Sequence, residues 1–135
     1  MNVKRKMIIK YLMIFLIVFV ISFLYKVFLL PISGDEIWNY GFSYNISKGM
    51  IIYRDFNVLL TPLYFFIGSI FIIIFGDYLV SMHIFDCIVI SILMIMMIKK
   101  FGLYKSLIFY PILLFDYFPT YSYFCYLVVA AVWSA

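Results

Sequence analysis

The sequence predicts an all-α membrane protein, with transmembrane helices and juxtamembrane helices in its first outer loop. Three observations predict it. The first is composition: 68% of the 135 residues are hydrophobic and 12% are charged, with a mean hydropathy of +1.17. A soluble domain is about 45–50% apolar and about 25% charged, and so small a fold leaves much of its surface outside, where such an apolar excess cannot be hidden. The second is the presence of apolar runs long enough to cross a bilayer. The third is the placement of basic residues at the ends of those runs, where they set orientation. That placement accounts for the net charge of +4 and argues against a nucleic-acid partner.

The first span is about Ile9 to Leu30. Some 20 residues at about 1.5 Å each cross a hydrocarbon core of about 30 Å. Lys10 and Lys26 lie near its ends, where long side chains snorkel to the headgroups. The run is too long for a secretory h-region of about 7–15 residues, and no small-residue cleavage site follows. The Lys4, Arg5, Lys6 cluster puts the N-terminus inside, so the segment after Pro31 is on the outer face.

Two apolar stretches follow, Leu59–Phe75 and Tyr78–Ile98, separated by Gly76-Asp77. If both cross, four basic residues lie inside and six outside. If only Tyr78–Ile98 crosses, seven lie inside and three outside, which the positive-inside bias favours. Length agrees, since 17 helical residues reach only about 26 Å. Leu59–Phe75 is therefore read as a juxtamembrane helix, with Pro62 in its first turn and Gly76 at its end. The outer loop, with its juxtamembrane helices, then covers residues 31–77. A further span covers about 101–118, with Pro111 inside it. Pro119 and the Tyr121-Ser122-Tyr123 cluster read as an outer-interface turn. The start of another span at 124–135 is about 12 residues long, short of the roughly 20 a crossing needs. This pattern suggests a single, partial transmembrane domain belonging to a longer protein. Cys87 and Cys125 each stand alone in an apolar run and read as small buried residues, with neither metal-ligand nor disulfide spacing.

The polar exception is residues 33–56, which hold Asp35, Glu36 and Asp55, three of the six acids. Ser33-Gly34-Asp35-Glu36 fits a capping box, and Lys48-Gly49 fits a helix end. Trp38, Tyr40, Phe42, Tyr44 and Ile46 alternate with small or polar residues at strand period. A lone strand at a membrane surface leaves its edges unpaired, so the caps decide for a short helix. Asp35 and Glu36 fall in its first turn, about 100° apart, and so serve different partners. Their plain structural reading is capping and solubility. For Arg54 it is a salt bridge to Asp55 or a lipid phosphate contact, and for Asp55 a turn cap. His83 and Asp86 share one helix face, and their plain reading is a mutual hydrogen bond inside a bundle.

A basic N-terminus, one span, an Asp-Glu pair and an aromatic helix ending in Lys-Gly are followed by YRDF (Tyr53–Phe56), TPLYFFIG (Thr61–Gly68) and IFGDYLVSMHIF (Ile74–Phe85). This order of features resembles the N-terminal part of polyprenyl-phosphate-sugar-dependent membrane glycosyltransferases of the GT-C class. That class includes protein O-mannosyltransferases and the bacterial lipid A aminoarabinose transferase. The family often has an arginine where His83 stands.

The resemblance implies an enzyme of the cytoplasmic membrane, of bacterial type, whose site faces outward. It implies a lipid-linked sugar donor and transfer with inversion. Asp35 matches the family's loop Asp and would orient and deprotonate the acceptor hydroxyl. Glu36 matches the second acid, in a supporting role. A departing phosphate needs a cation, for which Arg54 is the candidate on chemical grounds. Tyr53 and Asp55 flank it as substrate-binding candidates. Some family members use a divalent metal ion near the donor phosphate; no residue is assigned to one here. The other reading is a small non-catalytic multi-span protein, an assembly partner or a piece of a transporter. The enzymatic reading requires Asp35 at the outer lipid boundary, beside a cavity between helices.

Overall fold

The computed structural model describes residues 3–29 and 32–115. The described residues are helical, with no named strand, in the order α1 (Val3–Phe28), α2 (Gly34–Ser47), α3 (Leu63–Phe75), α4 (Leu79–Phe101) and α5 (Leu103–Phe115). Two of these, α1 and α4, are long and apolar enough to cross a membrane; α3 is apolar but shorter. At 13 residues α3 is about 20 Å long, two thirds of a hydrocarbon core. The expected turn at Pro119 to Tyr123, the apolar run from Phe124 and Cys125 lie outside the described residues.

Helices α1 and α4 are antiparallel. Lys26, near the end of α1, reaches Asp86, near the start of α4. At the other end the Lys99 ammonium sits 5.2 Å over the Tyr11 ring. This pairing gathers Lys4, Arg5, Lys6 and Lys10 of α1 at the same end as Lys99, Lys100 and Lys105. The described acids, Asp35, Glu36, Asp55, Asp77 and Asp86, are all absent from that end.

Burial along the two helices differs. Helix α1 buries a narrow stripe, Val18, Ser22 and Lys26, at the four-residue spacing of one helix face. Many of its other large apolar side chains are exposed, among them Leu12, Leu16 and Val20, while Ile14, Phe15, Phe19 and Phe23 are half-buried. Helix α4 is buried around most of its circumference, with Met82, Phe85, Val89, Ile90, Leu93 and Met94 in the core. Helix α5 packs against α4 and reaches α1 at Tyr110, whose hydroxyl meets Ser22 Oγ at 3.0 Å and donates to the Val18 carbonyl at 3.3 Å. Pro111 lies within α5.

The caps of α2 form as its sequence requires. Ser33 Oγ accepts the Glu36 N–H at 3.2 Å, and the Ser33 amide faces the Glu36 carboxylate in return. At the far end Gly49 takes φ +88°, its N–H reaches the Ile46 carbonyl, and the Met50 N–H reaches the Asn45 carbonyl. This paired closure satisfies two orphan carbonyls and suits glycine at the left-handed position. The alternation from Trp38 to Ile46 is accordingly helical, with aromatics on several faces. Asn39 and Ser43 are buried, while Trp38 is exposed.

Helix α3 packs between α2 and α4 at Gly68. A Cβ there would lie 2.6 Å from Ser43 Oγ and 2.8 Å from the Met82 sulfur, so only glycine permits the approach. Phe42 of α2 meets Phe65 edge-on at 5.2 Å and stacks on Phe56 at 5.9 Å, which anchors the 50–62 segment. The chain then turns at Gly76 (φ +99°), and Ser81 Oγ donates to the Gly76 carbonyl at 2.7 Å. Asp77 pairs with Lys48 at 2.6 Å, tying this turn to the end of α2.

Candidate functional site

Polar side chains from four helices converge between α1, α2, α3 and α4. Lys26 Nζ lies 3.2 Å from Asp86 Oδ2, and the Tyr64 hydroxyl donates to Asp86 Oδ1 at 3.3 Å. One turn nearer the start of α4, His83 Nε2 is 2.8 Å from Glu36 Oε1. His83 and Asp86 do share a face of α4, but they do not pair with each other. Each reaches a different helix instead, His83 to α2 and Asp86 to α1 and α3.

Burial raises the stakes of this cluster. Asp86 is 1% exposed, Lys26 8% and Tyr64 0%. A charge so placed is tolerable only with an opposite partner and further hydrogen bonds, which Lys26 and Tyr64 supply to Asp86. Lys26 therefore does not snorkel outward, as its position near the end of a span suggests; the buried Asp86 carboxylate holds it in. Around Glu36, burial pushes the carboxyl upward. The hydrogen bond and charge of His83, with Lys26 behind it and the Ser33 amide, outweigh burial and hold the group below its ordinary value.

Two buried polar atoms near this interface, His83 Nδ1 and Asn39 Nδ2, have no hydrogen-bond partner among the described residues. A buried orphan of this kind costs about 1–3 kcal/mol. With Nε2 committed to Glu36, Nδ1 is the ring nitrogen left for a further hydrogen bond.

Asp35 precedes Glu36 but stands outside the cluster. Its side chain is exposed and makes no hydrogen bond or ion pair among the described residues. Its carboxylate is exposed rather than enclosed, so the described helices do not themselves supply the enclosed site that the enzymatic reading requires.

Tyr53, Arg54 and Asp55 form a separate turn. Arg54 Nε and Nη2 grip the Asp55 carboxylate at 2.9 and 2.8 Å, and the Ile51 N–H donates to Asp55 Oδ2 at 2.8 Å. The Arg54 hydrogen bonds, with that amide, hold the Asp55 carboxyl down at about 2. Tyr53 is exposed at φ +66°, a left-handed conformation unfavourable for a non-glycine residue. The Tyr53 N–H donating to the Phe56 carbonyl at 2.8 Å helps hold it there. No hydrogen bond or ion pair among the described residues joins this turn to Asp35 or Glu36.

The sequence thus brings Glu36 into a cluster with His83, and leaves Asp35 beside it and Arg54 apart. Lys26 and Tyr64 also belong to that cluster, though no local motif marks them. The one available signal was a lysine near the end of one apolar run and an aspartate inside another, opposite charges that bury only together. Among the described residues no group of three His, Cys, Asp or Glu side chains is arranged to hold a metal ion. Comparison with protein-family models finds no match, and comparisons with curated proteins and with solved structures find none either.

Proposed function

We propose that the chain is part of an integral membrane glycosyltransferase. It would move a sugar from a polyprenyl-phosphate donor to an acceptor hydroxyl at the outer face, inverting the anomeric carbon. The observation that carries the reading is Asp35, a free carboxylate on the first turn of the helix that follows the first span. The residue behind it, Glu36, is clamped to α4 through His83. An exposed carboxylate on a helix whose first turn is tied to α4 through Glu36 can orient an acceptor hydroxyl and take its proton as the new bond forms. The donor's phosphate leaves with its negative charge, and Arg54 is the cation assigned to it. Arg54 must then exchange Asp55 for the phosphate. The open side of Asp35 has to be closed by the acceptor, the donor or residues beyond those described.

A second reading, a non-catalytic multi-span protein, is favoured by one observation. The buried charges Lys26 and Asp86 satisfy each other, as they would if their task were to join helices.

The two readings separate in membranes holding the protein expressed from its natural reading frame. Such membranes are supplied with polyprenyl-phosphate mannose or polyprenyl-phosphate aminoarabinose, labelled in the sugar. Glycosyl transfer predicts label leaving the lipid, and its loss by at least about a hundredfold in Asp35→Asn at equal protein level, the scale of a general base. Transfer that is unchanged in Asp35→Asn removes Asp35 from the mechanism. An absence of transfer from either donor favours the non-catalytic reading.

A further inference from the structure

The antiparallel pairing of α1 with α4 sorts charge between the two ends of the molecule. Three cations lie toward the acidic end, and each has a carboxylate partner there: Lys26 with Asp86, Lys48 with Asp77 and Arg54 with Asp55. The opposite end carries the other seven basic residues and no described acid. Three of them, Lys99, Lys100 and Lys105, flank the tight α4–α5 turn at Gly102 (φ +86°). Lys99, drawn over Tyr11, brings this turn beside the basic start of α1. Arg5, Lys6, Lys10 and Lys105 form no ion pair among the described residues, and like charges gathered at one end favour an anion there.

We propose that this basic end is a binding surface for the headgroups of anionic phospholipids. The surface goes beyond the glycosyltransferase reading and needs only that α1 and α4 cross the bilayer. A leaflet is the occupant the geometry fits. The cations lie at the ends of α1, α4 and α5, where Met7 and Ile8 of α1 and Leu103 and Leu107 of α5 are apolar and exposed. A phospholipid supplies a phosphate at that level and acyl chains beside those side chains. Each lysine near an anionic surface adds about 1 kcal/mol, roughly fivefold in affinity.

The test is native mass spectrometry of the full chain in neutral detergent, titrated with phosphatidylglycerol or with phosphatidylcholine of the same acyl chains. Phosphatidylglycerol is expected to bind about tenfold tighter or more. The triple variant Lys99→Gln, Lys100→Gln, Lys105→Gln should lose that preference. The triple arginine variant should keep it, as should Lys48→Gln at the acidic end. Equal binding of the two lipids, or a glutamine variant that binds like the parent, overturns headgroup recognition. Displacement by millimolar glycerol phosphate overturns the leaflet in favour of a free phosphate ligand. Extraction of the chain from membranes by alkaline carbonate overturns the bilayer placement itself. None of these outcomes depends on sugar transfer or on Asp35.

Discussion

Lys26 and Asp86 are 60 residues apart in the chain, yet their charged atoms lie 3.2 Å apart in a site almost closed to solvent. The pair fixes how α1 meets α4, and through Tyr64 it also seats the start of α3. Taking two charges out of water is costly. Their mutual attraction offsets that only while both are present, and removing one partner of such a pair typically loses about 3–5 kcal/mol. Asp86→Ala should therefore destabilise the folded chain in detergent by about that amount. The double variant Lys26→Met, Asp86→Leu should recover most of the loss, because apolar groups of similar volume need no partner. Chemical denaturation of the three proteins reads both values. A loss under about 1 kcal/mol in Asp86→Ala would mean that the site is wetter than its burial indicates.

The Glu36–His83 contact predicts a response to acid. The Glu36 carboxyl is held below its ordinary value in the folded chain. The stability it contributes is thus complete above the unfolded value of about 4.3 and is lost as pH falls through the folded one. Helix α2 should loosen from α4 in that window. Trp38 fluorescence, in a Trp133→Phe background, follows it. Glu36→Gln should abolish this transition. A second step at lower pH belongs to Asp55, whose carboxyl Arg54 holds at about 2, and Asp55→Asn should remove that one alone. A Glu36→Gln protein with an unaltered acid transition would assign the first step elsewhere.

Local chemistry made much of α2 to α4 legible in advance. Ser33 and Gly49 end α2 where capping rules place them, and Gly76 ends α3. The excess of apolar residues foretold helices long enough to span. What stayed hidden was pairing at long range. A 3.6-residue period shows that His83 and Asp86 share a face, but it says nothing of which helix that face meets. Position alone made Lys26 a snorkelling residue, since the buried aspartate that holds it inward lies three helices further along the chain. The strand-like alternation from Trp38 to Ile46 misled for another reason. Aromatics enclose α2 on several sides, with Phe42 against Phe65 and Trp38 facing outward, so no single apolar stripe marks the helix.

Gly68 supplies a steric prediction. In Gly68→Ala the new methyl would sit 2.6 Å from Ser43 Oγ, which is itself held by its bond to the Asn39 carbonyl at 3.0 Å. Overpacking of this kind costs about 1–3 kcal/mol. The Met82 side chain can swing aside, but Ser43 Oγ must give up its hydrogen bond to do so. Gly68→Ala should lower stability by that amount, and adding Ser43→Ala should restore part of it. The thermal midpoints of the two variants test this. A Gly68→Ala protein as stable as the parent would show that α3 does not approach α2 this closely.

The sidedness of the chain follows from the two contacts that set α1 against α4. Lys26 with Asp86 puts the end of α1 beside the start of α4, and Lys99 with Tyr11 puts the end of α4 beside the start of α1. If both helices cross a bilayer, everything between them begins and ends on one side, and α3 cannot make a third complete crossing. At 13 residues it is also too short for one without thinning of the bilayer. By the positive-inside bias the basic end is then expected to face the cytoplasm. In a chain carrying Cys87→Ala and Cys125→Ser, a cysteine introduced as Asp77→Cys should react with an impermeant maleimide added to intact cells. One introduced as Lys100→Cys should react only after the cells are opened. Protection of position 77 together with labelling of position 100 would invert the molecule and place Asp35 on the cytoplasmic side, out of reach of any outer-face acceptor.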